Sequence, residues 1–352
     1  ETDVFGICGV NTAFGVMNGI GLIERGVGNE VLWTWSFPTI QAKVQGYLVE
    51  KFTGLSATQS YFCYHIYGIW YYIFPQKVAN KDLAVKMKEL GIVVWNAEFD
   101  PEKAKHFVSI CWEAFSKNGQ ATALLDVYLN EHISCDIAKV DSKDANLEKV
   151  ALLNESLKEL IGIFGLETVL LYNAMLLKKR IIIYHHKSSS LQMLIRCLPV
   201  FAWHRQDWNV LYSNLCCNQP DFNEIKGKSH FVIGTREIHL SDNIEYDVFV
   251  NVPSAEITIH PASKACFVMT KLHKEIALTL VRSEDKTSVD GIVTDVKDTT
   301  NGLIQTMRSL CKKGSDGKFV LDTEVLKSKN LASPVETFFQ HLAVSEKLIS
   351  CT

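Results

Sequence analysis

The stretch LPVFAWHRQDWNVLY, Leu198 to Tyr212, gathers the side chains best suited to chemistry or recognition: His204, Arg205 and Asp207, set between Trp203 and Trp208. A histidine, a guanidinium and a carboxylate at this spacing could move a proton or hold an anion. Tryptophan and arginine are also the residues enriched in protein-binding hot spots. The structural reading comes first, however. Leu198, Phe201, Ala202 and both tryptophans are expected to pack inward, while His204 to Asp207 turn the chain at the surface and Arg205 pairs with Asp207. On that reading Trp203→Ala costs about 3–5 kcal/mol, as a large-to-small core change does. The functional reading makes Trp203, His204, Arg205, Asp207 and Trp208 a partner-binding patch.

Other motifs carry less. GKS at Gly227 to Ser229 resembles the end of a phosphate loop, but Phe222 stands where the earlier glycine is required, and a strand follows instead of a helix N-terminus. GIG at Gly19 to Gly21 has Glu24 at the third glycine position and lies in a hairpin, which argues against a dinucleotide site. His185 and His186 are adjacent, so they are expected to point in different directions, and no HExxH or His/Cys set at metal spacing accompanies them. No GxSxG elbow is present. Catalytic, cofactor-binding and metal-ligating residues are therefore all assigned as none.

With 47% hydrophobic and 21% charged residues over 352 positions, the composition is that of a globular chain long enough for two lobes. A net charge of -3 gives no footprint for nucleic acid. The ten cysteines include no CxxC pair, and Cys216 and Cys217 are adjacent, so reduced thiols in a cytoplasmic protein are expected. No basic n-region precedes VFGICGVNTAFGVMN, so no signal peptide is expected. Phe52 to Gln76 lacks Asp, Glu, Lys and Arg, and eight of the fourteen residues from Tyr61 to Phe74 are aromatic. A membrane span would be rich in aliphatics, so two aromatic strands turning near Gly68 fit better.

The first part reads as a β-meander. GIGLIER and EVLWTWSFP flank GVGN, whose glycines suit positive φ; QSYFCYHIYG and IWYYIFP form a second pair, and LGIVVWNAEF a fifth strand. Asp100 then caps a helix with Pro101 at its first position, and Phe107, Ile110, Cys111, Ala114 and Phe115 share its buried face. A helix over Ala121 to Asn130 closes this lobe. Ser134 to Asn146 is polar and is the linker candidate.

The second part opens with a helix bearing Leu157, Leu160, Ile161 and Phe164, followed by LETVLLYNAMLLKKRIIIYHHK. Its helical portion is apolar all round and should be central, with Lys178, Lys179 and Arg180 at the cation-favouring C-terminus. Arg180 to Tyr184 reads as a buried strand, and Ser189 with Gln192 as a capping box. Further strands lie in HFVIGTRE and YDVFVNV…EITI. Helical patterns follow over Lys264 to Arg282 and Thr299 to Leu310, then a last one opened by SPVE, with Lys312 to Lys318 as a charged loop.

FGLETVLLYNAMLLKKRIIIY, LQMLIRCLPVFAWHRQDW, HFVIGTRE and YDVFVNV together resemble the central module of the DENN-domain family. The resemblance implies an α/β (α+β) fold: an N-terminal longin-like lobe of β-meander plus helices, then a DENN module with a central sheet flanked by helices, then a helical C-terminal part. The corresponding boundaries are 1–15 for an unassigned tail, 16–135, a linker at 136–146, 147–262 and 263–352. His230 stands where the family usually has proline, and Asn251 replaces its acidic residue. The family implies nucleotide exchange on a Rab-family GTPase, without covalent chemistry, in late endosomal and secretory traffic. It also implies a cytoplasmic protein recruited to late endosomes, with membrane association indirect. A scaffold role in the Commander endosomal recycling complex is the alternative, with its coiled-coil subunits as partners docking on exposed aromatics around Tyr61 to Phe74. A small-molecule enzyme would require a deep pocket.

Overall fold

The computed structural model describes residues 17–54, 61–78, 84–133, 142–217, 222, 225–284, 291–313 and 319–348. The chain divides into two compact units, Glu1–Glu148 and Lys149–Thr352. The expected tail 1–15, most of the expected linker and residues 314–318 of the expected charged loop 312–318 lie outside the described residues; Lys312 and Lys313 belong to a strand. The described part of the linker, from Ser142, is already helix.

The first unit is built on five antiparallel strands: β1 (Gly19–Gly26), β2 (Val31–Phe37), β3 (Phe62–Ile66), β4 (Ile69–Lys77) and β5 (Met87–Asn96). They lie in the order β2-β1-β5-β4-β3, which is not that of a simple meander. The reason is a helix that the pattern analysis did not foresee, α1 (Ala42–Thr53), which intervenes between the β1–β2 hairpin and the β3–β4 hairpin. Its Val44, Leu48 and Phe52 recur at helical spacing and pack with Tyr64, Tyr71, Ile73, Val93 and Trp95 on one face of the sheet. Gly91 of β5 leaves room for the Phe52 ring, which a Cβ there would meet at 2.8 Å.

The opposite face of β4 carries Trp70, Tyr72 and Phe74, with the rings of Trp70 and Tyr72 tilted against Phe99. Helices α2 (Pro101–Asn118) and α3 (Ala121–Ile133) cover this side. Burial on both faces explains why Tyr61 to Phe74 reads as an unbroken apolar run. It also corrects the expectation of an exposed aromatic surface there: Phe62, Tyr64, Trp70, Tyr71, Tyr72 and Phe74 are all buried. The hairpin turns at Tyr67 and Gly68, both with positive φ, as a two-residue turn of the primed type requires. In the first hairpin it is Asn29, and neither glycine of GVGN, that takes positive φ. Asp100 caps α2, accepting from Lys103 N at 3.1 Å. Phe107, Cys111 and Phe115 are buried as expected, whereas Ile110 is 42% exposed because the buried stripe runs through Ala104 and Val108 instead.

The second unit holds a sheet of β6 (Arg180–Tyr184), β7 (Leu211–Tyr212), β8 (Phe231–Thr235), β9 (Val248–Asn251) and β10 (Glu256–Ile259), in the order β10-β9-β6-β8-β7. All neighbours are parallel except the β9–β10 hairpin. Ile181, Ile182 and Ile183 of the central strand are fully buried, as a parallel strand covered on both sides demands. Ile182 packs with Tyr212, Phe222, Phe231 and Ile233. Helix α4 (Ser142–Phe164) leads into α5 (Thr168–Leu176), whose residues are nearly all buried. The stretch Glu148–Leu176 is long and apolar enough to cross a membrane, but most of it is buried inside the protein, as a core helix is.

After α6 (Ser188–Cys197) come α7 (Lys271–Glu284), α8 (Gly291–Ser309), a small hairpin of β11 (Cys311–Lys313) and β12 (Phe319–Leu321), α9 (Thr323–Ser328) and α10 (Ser333–Ser345). Lys264 belongs to a separate 3-10 turn, Pro261–Phe267, ahead of α7. The Ser189–Gln192 capping box is not made: α6 starts two residues earlier, with Lys187 in the cap position and no side-chain capping bond. His185 and His186 do not diverge; their rings stack with centroids 4.5 Å apart. With three sheets among the described residues and helices throughout, the fold is α+β.

Candidate functional site

The corner at Trp203 to Trp208 forms because α6 cannot continue past Pro199. The chain tightens into a 3-10 turn, Leu198–Ala202, and every residue of that turn is buried. Arg205 N–H donates to Ala202 O at 2.9 Å, and Gln206 takes φ of 51° to reverse the chain. Gln206 Nε2 donates to Trp203 O at 2.7 Å, and Asp207 Oδ1 accepts from Asn209 N at 3.0 Å. Trp208 then returns to the helix end, its Nε1 donating to Arg196 O at 3.2 Å. The two indoles meet edge to face, 6.3 Å between centroids. Lys297 lies over Trp203 and Lys149 over Trp208, the second at 4.7 Å.

Arg205 is the centre of the corner. Its Nη1 donates to Met175 O at 2.8 Å and its Nη2 to Leu176 O at 2.6 Å, the last carbonyls of α5. Met175 O also accepts from Lys178 N at 3.3 Å and Leu176 O from Ser345 Oγ at 3.0 Å, so the guanidinium adds a donor to two carbonyls at the helix end, where a cation complements the dipole. Arg205 also reaches Glu346 just past α10, through Nε at 2.9 Å and through Nη2. His204 Nε2 completes the set at 3.0 Å from the same carboxylate oxygen. Burial alone would raise the Glu346 carboxyl. The hydrogen bonds and charges of His204 and Arg205 outweigh it and hold the group at about 2.

The sequence reading therefore needs revision at this corner. Arg205 does not pair with Asp207; its partner is Glu346, 141 residues away in the chain. The cation that terminates α5 is Arg205, while Arg180 belongs to the strand and binds Asp247 and Glu245. His204 and Arg205 are not surface groups, since only 12% of each side chain is exposed. Trp208 is buried, but Trp203 is half-buried, and Gln206 and Asp207 are exposed. The structure thus brings all five candidate residues together and divides them into a buried clamp and an exposed edge of Trp203 and Asp207. Glu346 and Ser345 were missed, because nothing local in the sequence ties the end of the chain to this turn.

Two recesses open on this unit. A small one of about 20 Å³, the size of one water, is lined by Met175, Lys178, Pro199, Ala202, Arg205, Asp207 and His230. The other, of about 170 Å³, lies between the 3-10 turn Pro261–Phe267 and α10. Neither reaches the roughly 300–1,000 Å³ that small-molecule sites occupy. Among the described residues no group of three or more His, Cys, Asp or Glu is placed to hold a metal ion. The arrangement is built to present a shaped, charged surface on a stiff corner.

No family model matches the chain. The human DENN domain-containing protein 10 is 33% identical over 346 residues, which cover 95% of this chain and 97% of that protein. The mouse protein of the same name is 31% identical over 346 residues with the same coverage. Its Dictyostelium discoideum counterpart is 24% identical over 362 residues, 96% of this chain and 99% of the other. Similarity of this extent, running nearly end to end across both units, places the chain in the DENN-domain protein family.

Proposed function

We propose that this protein is a guanine nucleotide exchange factor for a Rab-family GTPase, acting by stabilising the nucleotide-free GTPase. The observation that carries this reading is family membership over 95% of the chain, since DENN-domain proteins generally act on Rab GTPases in this way. Exchange makes and breaks no covalent bond, so it needs a surface and no catalytic triad. The factor must bind the GTPase more tightly once nucleotide and Mg²⁺ have left, which shifts the population of its switch segments. Moving such an element from 1:99 to 99:1 takes about 5.5 kcal/mol of differential affinity, within reach of an interface of roughly 800 Å² per partner.

The place of action in this reading is the late endosome, reached from the cytoplasm through protein partners. The test is release of labelled GDP from a panel of Rab GTPases at substoichiometric protein. Acceleration for one or a few members is expected, and a folded sample that accelerates none overturns the reading. The alternative, a scaffold subunit of the Commander assembly, loses most of the exposed aromatic surface expected at Tyr61 to Phe74, because six of the eight aromatics of that run are buried and Tyr67 at the hairpin turn is the exposed one. Co-purification at fixed stoichiometry from a preparation that releases no GDP is the result that would favour it.

A further inference from the structure

The N-terminal edge of the second sheet is drawn together by hydrogen bonds from distant segments onto the junction of α5 and β6. His230, ahead of β8, lies with Nδ1 2.9 Å from Lys179 O. Ser345, at the end of α10, donates to Leu176 O at 3.0 Å. Arg180 N donates at 2.8 Å to Asp247, ahead of β9, and Ser263 Oγ, just after β10, donates to the same carboxylate at 2.6 Å. Every one of these approaches carries lysine to the edge. Lys178 and Lys179 precede β6, Lys226 and Lys228 precede β8, Lys264 follows Ser263, and Lys347 stands two residues past Ser345.

The carboxylates of the edge are already engaged. Arg180 holds Asp247 and Glu245, and Arg205 with His204 holds Glu346. Asp207 accepts from Asn209 N within its own turn. Lys228 donates to the Tyr212 hydroxyl, but Lys178, Lys179, Lys226, Lys264 and Lys347 make no ion pair with any described residue. Among the described residues, eight lysines and arginines therefore stand with four carboxylates here, in a chain whose net charge is -3. Exposed aliphatic side chains lie beside them. Val268 and Met269 follow Lys264, and Val344 extends by one turn the stripe of Pro334, Thr337 and His341 that faces Val268 across the larger recess.

The kind of cation decides the kind of partner. Both arginines of the edge are bonded inside the protein, so what faces outward is lysine, a flexible point charge, and not the planar fork that a single fixed carboxylate selects. Lysines spread over separate segments, with aliphatic side chains at their margin, match a broad anionic plane. We propose that this edge docks on a bilayer surface rich in anionic lipid. The lysines sit among the headgroups, and Val268, Met269 and Val344 reach the acyl boundary. This contact is direct, adds to recruitment through protein partners, and does not depend on the exchange reading.

Co-sedimentation of the full chain with phosphatidylcholine vesicles, with and without phosphatidylserine, tests it at physiological ionic strength. Binding is expected only when phosphatidylserine is present, and is expected to fade as salt is raised. Lys226→Glu with Lys347→Glu should weaken it at least ~10-fold, whereas Lys187→Glu with Arg236→Glu, at the opposite edge of the same sheet, should leave most of it. All four side chains are exposed, so both double variants should melt with wild type. Wild type that ignores phosphatidylserine overturns the proposal, as does an equal loss in the two double variants. Retention of polyglutamate without retention of vesicles also overturns it, and assigns the edge to an acidic protein segment instead. None of these outcomes requires that a GTPase respond.

Discussion

The two large sheets secure their central strands by different means. In the first unit, β4 and β5 are held by rings: Trp70, Tyr72, Phe99, Tyr71 and Trp95 interleave above and below, and the Tyr72 hydroxyl is hydrogen-bonded among them. In the second, the central strand and the helix before it are tied by charged groups at their ends. Arg180 binds Asp247, whose carboxylate also accepts from Ser263, and Arg205 binds Glu346. An antiparallel sheet can be assembled from hairpins whose partners are near in sequence. A parallel one draws all its neighbours from far along the chain, and here ion pairs spanning 67 and 141 residues fix which segments meet; in the antiparallel sheet such a pair, Arg25 with Glu89 at 2.9 Å, stands at the one long-range pairing, β1 with β5. Aromatic packing is tolerant of its neighbours; a buried ion pair is not, because removing one member strands the other.

The largest expected effect follows from that difference. Arg205→Ala leaves Glu346 with His204 but without its guanidinium, takes one donor from each of Met175 O and Leu176 O, and should cost about 3–5 kcal/mol in urea denaturation. Replacing both members, Arg205→Met with Glu346→Met, should recover most of the loss, because the stranded charge is gone. A double variant as unstable as the single one would show that the carbonyl bonds, and not the charge, carry the clamp.

Acidification separates the two sheets next. Glu346 titrates at about 2 in the folded protein against an ordinary 4.5, so the folded state takes up its proton later than the unfolded chain does. Its contribution is complete above pH 4.5 and disappears as pH falls toward 2, on the order of 2 kcal/mol after allowing for its partial exposure. Burial also lowers His230 and His273, which adds destabilisation as pH drops below 6.5. In the first unit the shifted groups are instead tyrosines and Cys111, all raised; Tyr71 moves to about 12, so its contribution is lost only in alkali. Stability measured from pH 2 to 7 should therefore flatten in Glu346→Gln. An unchanged slope would remove Glu346 from the acid response.

How much of this was legible depends on range. The hairpin at Gly68, the cap at Asp100, the all-buried α5 and the strand Arg180–Tyr184 depend on residues within a few positions, and their patterns suffice. Helix α1 escaped because its apolar spacing of four, at Val44, Leu48 and Phe52, is brief. The order β2-β1-β5-β4-β3 escaped because it places β5 beside β1, a pairing across some seventy residues that no local pattern encodes. The corner was found by composition, yet its pairing was misread. Asp207 is the nearest carboxylate in sequence to Arg205, but it turns to Asn209, and the partner in space arrives from the end of the chain.

A smaller effect probes the aromatic sheet on its own terms. Tyr72 OH accepts from Asp100 N at 2.8 Å and donates toward Glu98 O at 3.4 Å, so it anchors the turn that caps α2. Tyr72→Phe keeps the ring and removes only these bonds, and should cost about 2 kcal/mol as a buried N–H loses its partner. A neutral result would mean that packing alone sets that turn.

The smallest effect, at Trp203, decides between the two readings of the corner. Its ring is half-buried, packed edge to face on Trp208 and under Lys297, so truncation removes one face of contact and leaves no enclosed cavity. Trp203→Ala should therefore cost about 1–2 kcal/mol, below the 3–5 kcal/mol of a core tryptophan. Trp208→Ala, at a buried ring with a bonded indole N–H, should approach that larger range. If both cost the same, Trp203 is core and the corner has no exposed aromatic to offer. If Trp203→Ala is mild in denaturation but weakens GTPase binding well beyond its stability loss, the exposed edge of Trp203 and Asp207 is where a partner sits, while Arg205 behind it keeps that edge in place.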